Sequence, residues 1–96
     1  MTLDELRRNK RADILRVAQR HGASNVRVFG SIVRGSATQK SDVDFLVDFS
    51  PDRSLLDQIA LQQELEALLG CSVDLVEPGG VSPYLAPEIL SEAVPL

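Results

Sequence analysis

Apolar residues recur at helical spacing in two long stretches of the chain, and they alternate or cluster in three short ones. The first stretch predicts a helix over residues 2–20 that ends just before a glycine. The second predicts a helix that begins after the N-cap Ser54 and ends at Gly70. A shorter helix is predicted over residues 83–93, so helices account for about half of the chain.

The three short apolar segments predict strands over residues 26–29, 43–49 and 72–76. A further short helix over residues 31–34 fits between the first two strands. This alternating order predicts an α/β (α+β) fold in which helices pack on one face of a small mixed β-sheet. With no repeat and no linker, the pattern indicates one domain over residues 1–96.

The same periodicity assigns side chains to the core. The apolar positions of the helix after Ser54 predict one buried face, which consists of Leu55, Leu56, Ile59, Leu65, Leu68 and Leu69. His21 follows the first helix and is expected to be solvated. Cys71 lies between apolar neighbours and is expected to be a buried structural thiol.

Aspartates occupy alternate positions at the start of the clearest predicted strand. Asp42 and Asp44 share one face, whereas Val43 begins the apolar set that faces the core. Two strand residues span roughly 7 Å, which suits metal ions that lie about 3.5–4 Å apart. Asp48 points the same way but lies ~13 Å from Asp44 along the strand, too far to share those ions.

Asp74 is the best third acid because it interrupts the apolar pair Val73 and Leu75 in the last predicted strand. If that strand lies beside the strand over residues 43–49, Asp74 points to the same open face. There it can bind a metal ion and accept the proton of an attacking hydroxyl. Each of these acids alone is more often a solvent-facing residue. Their joint occurrence favours a magnesium site.

Gly30 and Ser31 form a turn at the end of the first predicted strand. Gly30 has no side chain, so backbone amides can approach a phosphate, and the Ser31 hydroxyl can donate to it. Arg34 either neutralises phosphate charge or pairs with nearby acids. The turn is not a P-loop, because the chain has no G-x-x-x-x-G-K-[ST]. Together with the aspartates, it indicates chemistry on a nucleoside triphosphate.

The net charge of −4 is unevenly distributed. Residues 1–40 have nine basic and three acidic side chains, and residues 41–96 have one basic and eleven acidic side chains. Either the basic residues pair with acidic segments of the same domain, or they form a positive rim for a triphosphate or a partner. The acidic balance argues against general binding of nucleic acid.

Three features predict a cytoplasmic protein with no membrane association. No apolar run approaches the ~18 residues that cross a bilayer. Asp4 and Glu5 stand where a signal peptide needs basic and then apolar residues. Cys71 is the only cysteine, as is typical of a reducing compartment.

With these residues placed, the chain resembles the polymerase-β-like nucleotidyltransferases, whose signature is a Gly-Ser turn followed about ten residues later by Asp-x-Asp. Here ten residues separate Ser31 from Asp42, and the third acid is present. Within that superfamily the chain is similar to the minimal nucleotidyltransferases. The likeness extends from residues 28–47 to the helix start at residues 54–57 and to residues 93–96.

This resemblance implies an antitoxin that uses two magnesium ions to transfer AMP from ATP to a tyrosine hydroxyl on a cognate HEPN-family RNase toxin. It implies that Asp42 and Asp44 are metal ligands, Asp74 is the third acid, and Gly30 and Ser31 contact phosphate. No departure from the family pattern disables the site.

Two other functions stay open. One is an antitoxin that blocks its toxin sterically, and the other is nucleotidyl transfer to a small molecule or RNA with a partner chain. A base-stacking clamp is poorly supplied by the four aromatic residues, Phe29, Phe45, Phe49 and Tyr84. The C-terminal apolar residues predict either an interface with a second protein or a helix packed on the sheet; they are Leu85, Ile89, Leu90, Val94 and Leu96.

Overall fold

A computed structural model describes residues 1–38 and 40–96. The helices are α1 (Leu3–Glu5), α2 (Arg11–Arg20), α3 (Ser31–Arg34), α4 (Leu55–Leu69) and α5 (Ala86–Glu92). The strands are β1 (Ala23–Phe29), β2 (Val43–Phe49), β3 (Val73–Val76) and β4 (Val94–Pro95). A π-helical turn at Leu6–Lys10 joins α1 to α2, and a 3₁₀ turn at Pro78–Gly80 follows β3. None of the described helices is long and apolar enough to cross a membrane.

The four strands form one mixed sheet in the order β3-β2-β1-β4. β1 is antiparallel to both of its neighbours, and β2 is parallel to β3. Parallel neighbours need a crossover connection, which α4 supplies between β2 and β3. This architecture confirms the predicted fold class.

The main core lies between one face of the sheet and the helices α2 and α4. On the sheet, alternate residues of β2 point into it, and Phe45 and Val47 are almost fully buried. The helices contribute the core residues Ile14, Val17, Ala18, Leu61, Leu65 and Leu69. The strand pattern therefore predicted correctly which face of β2 is apolar and buried.

The prediction that the apolar residues at the start of α4 are buried was wrong. Leu55, Leu56 and Ile59 are 67%, 76% and 43% exposed, whereas Leu61 and Leu65 further along the helix are buried. Ser54 and Asp57 form the capping box that starts this helix as expected. The helix therefore begins beyond the edge of the core, and only its later turns pack against the sheet.

β1 is longer than its sequence pattern predicted because a bulge interrupts the alternation. It starts at Ala23, and its pairing with β2 shifts between Ser24 and Arg27. Asn25 lies inside that shift with a positive φ of 50°. Such an extra residue breaks the period of two, so the regular pattern is visible only after the bulge.

The C-terminal residues are split between core and surface. Leu96 is buried in the main core, and its amide donates to the Val26 carbonyl beside β4. Leu85 and Leu90 are 52% and 48% exposed, and Tyr84 is 93% exposed. The chain end is therefore anchored on the sheet, and the residues before it leave an apolar surface.

Ion pairs connect the basic and acidic parts of the chain. Arg20 binds Glu64 at 2.6 Å, and the ring of His21 lies 2.9 Å from the other oxygen of the same carboxylate. The His21 side chain is only 17% exposed, so its predicted solvation was wrong. This pairing favours the interpretation that basic residues bind acids of the same domain.

Candidate functional site

Three residues lie in register across three strands, near one end of the sheet. Phe29 of β1 is opposite Asp44 of β2, and Asp44 is beside Asp74 of β3. Residues paired across neighbouring strands point to the same face, which here is the face away from α2 and α4. The structure therefore brings together the second and third of the predicted acids.

Asp42 lies just before β2 and is exposed, as is Asp74, whereas Asp44 is half-buried. Within residues 1–38 and 40–96, no three acidic, histidine or cysteine side chains converge closely enough to form a ready-made metal site. Ionised carboxylates repel one another, which opposes such convergence when no cation is present.

Crowding of negative charge is nevertheless evident at Asp44. Burial is the largest cause that raises its pKa, and the carboxylates of Asp74 and Asp42 raise it further, to about 6. Arg34 acts in the opposite direction, and Glu92 adds to the increase. The ionised form of Asp44 is thus destabilised by acids that a bound cation would neutralise.

The turn after β1 brings backbone close to Asp44. Gly30 has φ 78° and ψ −151°, a conformation that is almost restricted to glycine. A β-carbon on Gly30 would overlap a carboxylate oxygen of Asp44. The glycine is therefore required both by the backbone conformation and by the approach of the aspartate.

α3 starts directly after this turn and carries two of the predicted phosphate contacts. Ser31 is its half-exposed first residue, and Arg34 is its last. Arg34 Nη1 lies 2.9 and 3.0 Å from the two carboxylate oxygens of Glu92. The structure therefore shows Arg34 paired with an acid, which is one of the two roles that its sequence position suggested.

Glu92 is a site residue that sequence reasoning did not identify. Its carboxylate also accepts a hydrogen bond from the Gly30 amide. No local pattern marks Glu92, since it lies 62 residues after Gly30 at the end of α5. The pairing of β4 with β1 brings the two parts of the chain together.

A cleft of about 260 Å³ opens where these elements meet. Its lining residues are Phe29, Gly30, Arg34, Asp44, Glu88, Ile89 and Glu92. Asp42 instead lines a separate cleft of about 240 Å³ that also includes Cys71. Cys71 is only half-buried, so the prediction of a buried thiol was wrong. Gly30, Arg34 and one of the two motif aspartates therefore share one concave surface, whereas Ser31 and Asp74 are not among its lining residues.

Asp48 has a different environment. Its carboxylate pairs with Arg27 at 3.2 Å and accepts a hydrogen bond from the Asn25 side chain at 3.0 Å. Leu46 lies between Asp44 and Asp48 on the same face and is fully buried. Asp48 is thus separated from the acidic pair by a buried leucine.

We expect Asp44→Asn to stabilise the metal-free protein at neutral pH. The pKa of Asp44 is higher in the folded chain than in the unfolded one, so its contribution to stability is present below pH 4 and is lost as pH rises through 6. Because the side chain is partly solvated, the gain at pH 7 is about 1 kcal/mol. Urea unfolding in EDTA between pH 4 and 7 measures the difference between variant and wild type.

The same experiment with Mg²⁺ provides the control. Mg²⁺ should stabilise the wild type and remove the advantage of Asp44→Asn, because the cation neutralises the carboxylates that repel one another. A variant that is less stable than the wild type at pH 7 in EDTA would contradict the crowding of charge around Asp44.

Comparison with known proteins gives a match over most of the chain. Residues 12–96 match the family model described as a nucleotidyltransferase domain. The protein adenylyltransferase MntA of Thermococcus cleftensis is 44% identical over 94 residues, which cover 98% of this chain and 95% of that protein.

Solved structures show the same fold. A structure assigned as a minimal nucleotidyltransferase is 48% identical, with a TM-score of 0.87 over 100% of this chain and 97% of the other. One chain in a complex of a tri-AMPylated Shewanella oneidensis HEPN toxin with MNT antitoxin is 20% identical to this chain. The match has a TM-score of 0.66 and covers 88% of this chain and 66% of the other. At that identity, the second match shows similarity of fold alone.

Proposed function

Because this chain belongs to the nucleotidyltransferase domain family, we propose that it is an antitoxin that transfers AMP from ATP to a tyrosine hydroxyl of a cognate HEPN-family toxin. The observation that carries this proposal is the position of Asp44, which lies beside Asp74 on one side and next to the Gly30 turn on the other. The full-length similarity to a protein adenylyltransferase supports protein as the acceptor class.

We propose that Asp42, Asp44 and Asp74 hold two magnesium ions. The donor set fits, because all three are carboxylates, and after burial their mutual repulsion is the next largest cause that raises the pKa of Asp44. Bound there, Mg²⁺ would orient the triphosphate and neutralise charge that develops on its α-phosphate.

The turn and α3 contribute the phosphate contacts in this proposal. The Gly30 amide and the Ser31 hydroxyl donate hydrogen bonds to phosphate oxygens, and the Arg34 guanidinium neutralises their charge. Gly30 and Arg34 line the same cleft as Asp44, which supports a shared ligand. Fixed donors of this kind orient the nucleotide before the reaction starts.

The reaction is an in-line substitution at phosphorus. The acceptor oxygen forms a bond to the α-phosphate, the bond between the α- and β-phosphates breaks, and pyrophosphate leaves with that electron pair. Asp74 is exposed on the open face, where its carboxylate can accept the proton of the attacking hydroxyl. Tyrosine provides an acidic enough hydroxyl for a carboxylate-assisted attack.

A partner protein supplies the acceptor hydroxyl in this proposal. An AMPylated HEPN toxin is bound by the antitoxin of similar fold, which supports the same partner class here. The exposed side chains Tyr84, Leu85 and Leu90 supply apolar surface for a protein contact. We place the reaction in the cytoplasm, where ATP is available.

The deciding experiment is intact-mass spectrometry of the co-expressed toxin after incubation with ATP and Mg²⁺. We expect the toxin to gain the mass of one or more AMP groups, and tandem spectrometry should locate them on tyrosine. EDTA provides the control and should prevent the gain. A toxin of unchanged mass would exclude protein AMPylation as the reaction.

A separate growth assay distinguishes catalysis from steric blocking. The double variant Asp42→Asn/Asp44→Asn keeps the shape of the protein but loses the proposed metal ligands. If AMPylation neutralises the toxin, cells that express toxin and variant should fail to grow. Growth equal to that with the wild-type antitoxin would instead support inhibition by binding alone.

A further inference from the structure

The carboxylate of Glu92 makes two contacts that a phosphate group would make at the turn. It accepts a hydrogen bond from the Gly30 amide, and both of its oxygens lie within 3.0 Å of Arg34 Nη1. Carboxylate and phosphate oxygens use the same kinds of donor, backbone amides and guanidinium groups. One anion at a time can occupy this position.

We propose that Glu92 is a built-in competitor of the nucleotide, and that a phosphate group of ATP displaces its carboxylate from Gly30 and Arg34 on binding. The proposal rests on the proposed function, since it takes these two residues as phosphate contacts. It assigns to Glu92 a role that opposes nucleotide binding, whereas the Gly-Ser turn and the metal ligands favour it.

The position of Glu92 is set by the fold rather than by a chance surface contact. It ends α5, and two residues later the chain enters β4, which pairs with Arg27 and Val28 of β1. Because β1 leads directly into Gly30, this pairing holds the carboxylate next to the turn. Such a tether gives Glu92 a high effective concentration at the anion position.

The contact between Glu92 and Arg34 lies at the edge of the protein rather than in its core. The Glu92 side chain is 20% exposed, whereas Arg34 is 58% exposed, so the pair lies at the rim of the cleft. No residue of α5 is buried. Displacement of the carboxylate therefore costs little core packing, while Leu96 keeps the chain end attached to the sheet.

The test compares ATP affinity in Glu92→Gln with that in the wild type. Calorimetry in EDTA excludes metal effects, and we expect the variant to bind ATP about tenfold more tightly, because the competing charge is gone. Adenosine should bind both proteins equally, since it has no phosphate. Equal or weaker ATP binding by the variant would overturn the proposal.

Glu88→Gln is the matched control. Glu88 lies on the same helix and lines the same cleft, so this change removes the same charge at a similar place. It should change ATP affinity less than about twofold, because only the general negative potential of the cleft is reduced. An equal increase of ATP affinity in both variants would show that Glu92 acts only through its negative charge. That result would refute direct competition.

The Gly30 amide gives a second readout that is independent of nucleotide affinity. In ¹⁵N-labelled wild-type protein, titration with tripolyphosphate should shift the Gly30 resonance as one acceptor replaces the other. Glu92→Gln should shift the same resonance in the free protein, and Glu88→Gln should not. A Gly30 resonance that is indifferent to Glu92→Gln would contradict the proposed contact.

These measurements separate this inference from the proposed function. Tighter ATP binding by Glu92→Gln without transfer to any toxin would preserve the competitor and exclude AMPylation. Transfer by the wild type with unchanged ATP affinity in Glu92→Gln would preserve AMPylation and exclude the competitor.

Discussion

Asp44→Asn should reduce AMP transfer by at least about 10³-fold while the protein remains folded. Asp44 is the acid that lies between the other two, next to Asp74 in register and two residues after Asp42. Loss of a direct metal ligand is expected to exceed the 10–100-fold loss that is typical of an outer-shell partner. Initial rates with purified toxin, ATP and Mg²⁺ measure the effect.

Asp48→Asn is the control for that variant. It makes the same substitution on the same face of the same strand, but Asp48 binds Arg27 and Asn25 instead of facing the cleft. The rate should stay within about twofold of the wild type, with a small loss of stability from the weakened ion pair. Equal losses in the two variants would remove the case for a metal site at Asp44.

Gly30→Ala should combine a loss of stability with a loss of transfer. The φ and ψ of Gly30 are almost restricted to glycine, and the new β-carbon would overlap Asp44 Oδ2. We expect a destabilisation of roughly 2–4 kcal/mol from backbone strain and steric overlap. Transfer at a temperature where the variant is folded should fall by ~10²-fold or more, because Asp44 must move.

Gly35→Ala is the control that separates backbone strain from steric overlap with Asp44. Gly35 also has a positive φ, 76°, but a β-carbon there would meet nothing within 4 Å. This variant should lose about 1 kcal/mol and keep its transfer rate, since only the backbone preference changes. Thermal unfolding and initial rates of both variants would show whether the close approach to Asp44 matters. Parallel losses in the two proteins would attribute the Gly30 effect to backbone strain alone.

Regular alternation made the acidic face predictable. Val43, Phe45 and Val47 alternate with the acids of β2, so their burial could be predicted together with the opposite orientation of Asp44. The place of Asp74 depended on a condition, that β3 lies beside β2. The parallel pairing of these strands satisfies that condition.

The apolar periodicity predicted burial wrongly where no other described element packs against the apolar face. Leu55 and Leu56 continue the apolar pattern of α4, but the core ends before their turn. β4 was not predicted at all, because it has two residues and one of them is Pro95, which lacks an amide donor. Short edge strands are determined by the neighbour they pair with rather than by their own sequence.

Contacts between distant segments were equally inaccessible to sequence reasoning. The pairings of His21 with Glu64 and of Arg34 with Glu92 each join residues more than 40 positions apart. A single sequence shows which charges are present but not which elements meet. The chemistry of the Gly-Ser turn and the aspartates could therefore be inferred, whereas the acid that lies against the turn could not.

The crossover through α4 also determines when the site can exist during folding. Asp44 and Asp74 are 30 residues apart, and they become neighbours only when the parallel strands on either side of α4 have paired. A hairpin such as β1–β2 closes a shorter loop and is expected to form earlier. A nascent chain that ends before β3 would carry the Gly-Ser turn and two of the acids without the third. Transfer activity would then appear only once β3 has been synthesised and has paired with β2, so it reports closure of the parallel part of the sheet.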